Sequence, residues 1–153
     1  MNQSFKQFGG WQKFFQILCM LNVVFSIASI IMLIQTLFSS ESSLTTFFTI
    51  IESGLTVYLL LKILKIIELN VPESKVKIIN YLFTMFLVAI GYFIISTFFE
   101  MITSSWVWTD ENTYILAASL QMMIWCALWQ TYFTKSKRVK EYYSEKQDVN
   151  TIG

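Results

Sequence analysis

Glu52 is the residue of this chain with the most chemistry to offer. It stands inside an apolar run, residues 44–67. An ionised carboxylate is costly in such a medium, so the group must carry a proton, accept hydrogen bonds or be reached by water. Gln121 falls at a comparable depth in another apolar run, 113–133, and Gln35 lies toward one end of a third, 14–38. The three make a candidate intramembrane polar site. Its chemistry would be that of a proton or cation site, or of a ligand contact in a polar cavity. The plainer alternative is a neutral hydrogen bond between helices that fixes their register. Asn22 and Ser26, one turn apart, read as polar glue of that second kind.

Two further clusters carry charge. Glu100, Asp110 and Glu111 form a candidate acidic face suited to cations or a basic peptide, or else to plain solvated helix ends. Lys135, Lys137, Arg138 and Lys140 form a basic tail segment with Tyr132, Phe133, Tyr142 and Tyr143 as anchors. Each such cation contributes about 1 kcal/mol of attraction to an anionic leaflet, which predicts lipid headgroup contact. The chain has no histidine, the commonest metal ligand and acid–base group. Cys19 and Cys126 stand in no spaced motif and read as buried free thiols. No triad, phosphate loop or metal cluster is written in the sequence, so neither an enzyme nor a cofactor is expected. A net charge of +1 removes the electrostatic case for nucleic acid.

The elements that must position these residues are four apolar stretches, about 14–38, 44–67, 76–102 and 113–133. Each exceeds the ~20 residues a helix needs to cross ~30 Å of hydrocarbon. Apolar residues make up 55% of the chain and charged ones 14%, well below the roughly one quarter usual in soluble domains. Lipid cannot satisfy free backbone groups, and strand-like alternation is absent, so the crossings are expected to be helices. The first run is too long for a secretory h-region and reads as an uncleaved crossing. All eleven Lys and Arg fall before the first run, at the junction of the second and third, or after the fourth. The positive-inside rule then puts both termini in the cytosol and the acidic face outside.

The expected architecture is all-α: one domain, 1–153, forming a bundle of four transmembrane helices, up-down-up-down, with a basic cytosolic tail at 134–153. Ser43 is a plausible N-cap of the second helix, and Pro72 with Glu73 suits the start of the third. Trp11 fits one headgroup boundary, and Trp106 with Trp108 the other. The fourth helix is expected to run on into the tail and fray near Gln147. Ser26, Ala28, Ser29, Gly54, Ala89, Gly91, Ala117 and Ala118 are the candidates for close helix approach.

The run Trp129-x-x-Tyr132-Phe133-x-x-Ser136-Lys137-Arg138-Val139-Lys140, with Tyr143 three places on, resembles the closing signature of the bacterial domain-of-unknown-function family 2569. Gly9-Gly10-Trp11 matches the Gly-Gly-Trp near the start of that family. The resemblance implies a small four-pass protein of a bacterial cytoplasmic membrane, and it implies no activity. Members often have proline before the Tyr-Phe pair; Thr131 stands there in this chain and predicts a straighter helix end.

The functional expectation is a multi-pass protein without a catalytic site, with an accessory, regulatory or immunity-type role. The alternative is a small transporter or channel subunit that uses Glu52. Its surroundings are the lipid bilayer, and its partner would be another membrane protein or a membrane-active peptide. A homo-oligomer stays open.

Overall fold

The computed structural model describes residues 10–38, 44–69, 73–108, 110–137 and 139–140. Four α-helices account for nearly all of these: α1 (Gly10–Leu37), α2 (Leu44–Leu69), α3 (Ser74–Thr103) and α4 (Asp110–Lys135). No strand occurs among the described residues. The chain is all-α, and α1 and α3 are long and apolar enough to cross a membrane. With 26 to 30 residues apiece, the helices are about 39–45 Å long.

Neighbours in sequence are neighbours in space: α1 lies on α2, α2 on α3, and α3 on α4. Thr45, at the start of α2, donates to Glu100 Oε2, near the end of α3, at 3.5 Å. Ser74, at the start of α3, donates to the Ile66 carbonyl, in the last turn of α2, at 3.2 Å. These two bonds make α2 and α3 antiparallel. Phe15, near the start of α1, stacks among Trp125, Trp129 and Phe133, toward the end of α4. The described lysines therefore gather at one end of the bundle, with Glu100 and Asp110 at the other. The two are called the basic and the acidic end below.

Packing follows a repeat of 3.5 residues. On α2 positions 45, 49, 52, 56, 59, 63 and 66 are all buried or half-buried, and on α4 so are 112, 115, 119, 122, 126, 129 and 133. Alternating steps of three and four keep one stripe facing the neighbour, the seam of left-handed helix packing. Outward faces carry apolar side chains at helical spacing instead of charge: Phe47, Ile51, Leu55, Tyr58 and Leu61 on α2, and Phe83, Leu87, Ile94, Phe98 and Ile102 on α3. A water-soluble bundle places such residues inside.

The interior is divided by depth. Its basic half holds one contiguous apolar core, in which Phe15, Leu60, Ile63, Ile78, Leu82 and Phe133 are at most 1% exposed. The acidic half holds hydroxyls and amides at the same kind of seam position: Thr45, Thr56, Ser96, Asn112 and Ser119 are all buried, with Ala89 and Ile115 among them. α1 contributes buried residues to the basic half only, namely Gln12, Phe15, Cys19 and Val23. Beyond Val23 it offers only a half-buried stripe of Ser26, Ile30, Leu33 and Leu37.

Three sequence expectations need correction. Of the eight small residues expected at close approaches, Ala89 is buried and Ser26 and Gly91 are half-buried, while Ala28, Ser29, Gly54, Ala117 and Ala118 are exposed. The 3.5-residue seams simply do not fall on those five. The fourth helix does not run unbroken into the tail. α4 ends at Lys135, and Ser136 interrupts it, its Oγ accepting from the Val139 backbone N–H at 3.5 Å as a helix cap does. Nor does the tail only lie along a surface, since Val139 is 1% exposed and belongs to the core, held under the basic end by that turn. Thr131 continues α4 without a break.

The ends of α3 show how the chain stops a long apolar helix. Trp106 N donates to the Met101 carbonyl at 2.6 Å, and Ser105 N, following the last helical bond from Ser104 N to Glu100, donates to the Ile102 carbonyl at 3.4 Å. Ser105 itself adopts φ 56°. This is a Schellman-type stop with serine where glycine is usual. At its other end Glu73 is the N-cap residue and pairs with Lys77 at 2.8 Å. The hydrogen bond and charge of Lys77 hold the Glu73 carboxyl below the usual carboxylate range. Both side chains are more than half exposed, so screening leaves the pair little stabilising weight. The expected cap at Ser43, and Pro72, lie outside the described residues.

Candidate functional site

Glu52 occupies a seam position of α2, eight residues from its start and about 12 Å along its axis. The same stripe carries Thr45, Thr49 and Thr56, each one turn or two away, so the first half of α2 turns a row of oxygens toward its neighbours. The Thr56 hydroxyl donates to Glu52 Oε1 at 3.1 Å. That bond lies within α2, and it does not tie α2 to another helix. Thr49 makes the cross-helix link instead: its hydroxyl lies 3.0 Å from the Tyr92 hydroxyl of α3. Thr45 and Glu100 form a second such link nearer the acidic end. Register between α2 and α3 is thus set by threonines flanking Glu52, which frees the carboxylate from that task.

Glu52 lines a groove of about 190 Å³ between α2 and α3. Phe48, Ile51 and Leu55 form its α2 wall with Glu52, and Val88, Gly91, Tyr92 and Ile95 form the α3 wall. Gly91 matters here because a Cβ added to it would meet nothing within 4 Å. The groove is therefore open on the α3 side at this position. Since Ile51, Leu55 and Ile95 are exposed, the groove opens sideways onto the apolar outer surface.

The other expected site residues lie elsewhere. Gln121 is exposed on α4 and Gln35 is exposed on α1, and neither lines the Glu52 groove. The polar trio expected from the sequence is not assembled, for a geometric reason. On α4 the seam passes through 119 and 122, and on α1 the half-buried stripe passes through 33 and 37, so residues 121 and 35 fall off it. Asn22 bonds to the Leu18 carbonyl of its own helix at 2.9 Å.

Glu100 is half-buried and accepts from Thr45; its backbone carbonyl takes the Ser104 N–H and the Thr103 and Ser104 hydroxyls. It therefore serves the end of α3 as much as any outward face. Asp110 is exposed as the first residue of α4, and the side chain of Glu111 lies outside the described residues. Lys135, Lys137 and Lys140 are exposed around the buried Val139, and Arg138 lies outside the described residues. Lys62 rests its ammonium 5.3 Å over the Tyr58 ring.

Residues that the sequence reading passed over are Thr49, Thr56, Tyr92, Ser96 and Ser119. The hydroxyls of Ser96 and Ser119 are buried with no hydrogen-bond partner among the described residues. The steps 45, 49, 52, 56 on α2 were the signal that would have found the first two. Among the described residues no group of three or more His, Cys, Asp or Glu is placed to hold a metal. Cys19 and Cys126 are free, fully buried thiols of the basic-half core. No family model, curated protein or solved structure matches this chain.

Proposed function

We propose that this chain is a four-pass protein of a bacterial cytoplasmic membrane, with both termini in the cytosol and no catalytic activity of its own. Its role is accessory or regulatory, exercised through its lipid-facing and acidic-end surfaces. An immunity-type protein that shields its host from a membrane-active toxin is the most concrete form. The observation that carries the reading is the distribution of side chains: aromatic and aliphatic groups face outward along the helices, while in the acidic half Thr45, Thr56, Ser96, Asn112, Ser119 and Glu52 turn inward. The collection of basic residues at one end supports placing both termini in the cytosol.

Reporter fusions at residues 1 and 153 test the threading. Both are expected to report the cytosol, and opposite compartments would overturn it. Deleting the gene is expected to raise sensitivity to a membrane-active toxin encoded beside it, and unchanged sensitivity to every such toxin removes the immunity version.

A small transporter or channel subunit is the second reading, and Glu52 in its open-sided groove is the observation that favours it. Against it stands the basic-half core, where Phe15, Ile63, Ile78 and Leu82 fill the interior and Val139 backs them. Proton or cation flux through reconstituted protein that disappears in Glu52→Gln would support transport. Equal flux in both proteins, or none in either, disposes of it.

A further inference from the structure

We infer that the α2–α3 groove is a recognition site for a lipophilic organic cation, with Glu52 as its counter-charge. The inference rests on the membrane reading only in supplying the route of entry, sideways from the bilayer. Four observations carry it. Glu52 is the only charged residue lining the groove. Its hydrogen bonds are local to α2, so no second helix claims the carboxylate. Phe48 and Tyr92 bring aromatic rings to the two walls, and the faces of such rings attract a cation held away from water. The α3 wall is open at Gly91, where an added Cβ would meet nothing within 4 Å.

Size then selects the ligand class. A volume of about 190 Å³ is below the ~300–1,000 Å³ of sites that enclose a drug-sized molecule. The groove takes a head group on the scale of a trimethylammonium with one ring or the first part of a chain, and the remainder lies along the apolar flank at Ile51, Leu55 and Ile95. A compact hydrated ion finds too few oxygens here, since the Glu52 carboxylate and the Tyr92 hydroxyl cannot replace its shell. An anion meets repulsion from Glu52 with no lysine or arginine in the lining to offset it.

The test titrates purified full-length protein in nanodiscs with phenyltrimethylammonium and, separately, with benzenesulfonate, an ion of similar size and opposite charge. The cation is expected to bind and the anion not. Glu52→Gln is expected to weaken cation binding roughly tenfold or more, the usual scale for deleting one partner of a desolvated charge pair. Gly91→Leu, which leaves the carboxylate in place and fills the groove from α3, is expected to abolish it. Circular dichroism and gel filtration of both variants, unchanged from the parent, show that folding is not the cause. Equal binding of both ions means the groove is merely apolar and overturns the proposal, as does full affinity in Glu52→Gln. A change of oligomeric state in Gly91→Leu, with no cation binding to the parent, means that a second copy occupies the groove and also overturns it. The reporter fusions address the membrane reading independently, because binding to solubilised protein does not depend on threading.

Discussion

Phe15 and Phe25 lie on the same helix and invite the same substitution, with opposite expected outcomes. Phe15 is fully buried, with ring centroids 4.5 Å from Trp129, 5.1 Å from Phe133 and 5.8 Å from Trp125. Phe25 is 67% exposed. In Phe15→Ala, about 100 Å³ of side chain is lost, and a cavity of that size costs about 2.4 kcal/mol at ~24 cal/mol per Å³. Three ring pairs vanish as well, each worth ~0.5–1.5 kcal/mol beyond area, which brings the total to at least about 4 kcal/mol. In Phe25→Ala, hydrocarbon from lipid or detergent replaces the lost atoms, and the cost stays within about 0.5 kcal/mol. The assay is reversible unfolding in mixed micelles with rising dodecyl sulfate, followed by tryptophan emission and helical circular dichroism. Since the Phe15 ring, with Phe14 against Trp129, joins α1 to α4, Phe15→Ala should also lose its Trp signal before its helicity. Equal costs at the two positions would mean that the inward and outward faces of α1 are wrongly assigned. A cost below about 1 kcal/mol at Phe15 would mean that the basic-half core is not what holds the bundle.

Two shorter predictions follow from the same structure. Ser105→Gly relieves the left-handed backbone at φ 56° that closes α3, and is expected to stabilise the fold by roughly 0.5–1 kcal/mol, or about 1–4 °C in thermal midpoint. An unchanged or lower midpoint counts against the Schellman-type stop. Cys19 and Cys126, both 0% exposed, are expected to react with a membrane-permeant maleimide at least roughly a hundredfold more slowly than a cysteine placed at exposed Asp110, outside the apolar runs. Equal labelling rates in the folded protein would show that the core admits solvent or lipid.

The helices themselves were legible because length and unbroken apolarity suffice to mark them. Runs expected at 14–38, 44–67, 76–102 and 113–133 appear as 10–37, 44–69, 74–103 and 110–135. The extra residues lie at the ends, where polar and charged side chains such as Lys13, Ser74 and Lys135 continue helical backbone past the apolar run. Which face of each helix turns inward was less legible. In an aqueous protein, polarity marks the outer face, but here both faces are largely apolar and the contrast is lost. Gln121 and Gln35 look like seam residues by depth and are not, because depth fixes position along the axis and leaves rotation about it free. Threonine hid in a similar way. Thr45, Thr49 and Thr56 attract no notice singly, yet their spacing with Glu52 defines the stripe. The tail misled for a local reason: nothing in a run of basic residues announces that Ser136 will cap a new turn and send Val139 into the core.

The division of the interior by depth bears on how such a molecule can work. Polar seam residues end near Thr56 on α2, Ser119 on α4 and Ser96 on α3; past them toward the basic end the seam is Leu59, Ile63, Cys126, Trp129, Leu82 and Met85. Water or an ion entering from the acidic end would meet hydroxyls for about half the length of the bundle and then a packed apolar plug. Moving further would require parting rings such as Phe15 and Trp129, whose centroids lie 4.5 Å apart. Glu52 lies on the polar side of that boundary, beside a groove that faces neither end of the bundle. On the four-pass reading its ligand arrives through the plane of the membrane, and binding changes what the α2–α3 surface presents to lipid and to other helices. On that reading the chemistry of Glu52 belongs to recognition at the flank, and the apolar plug stands against conduction along the axis.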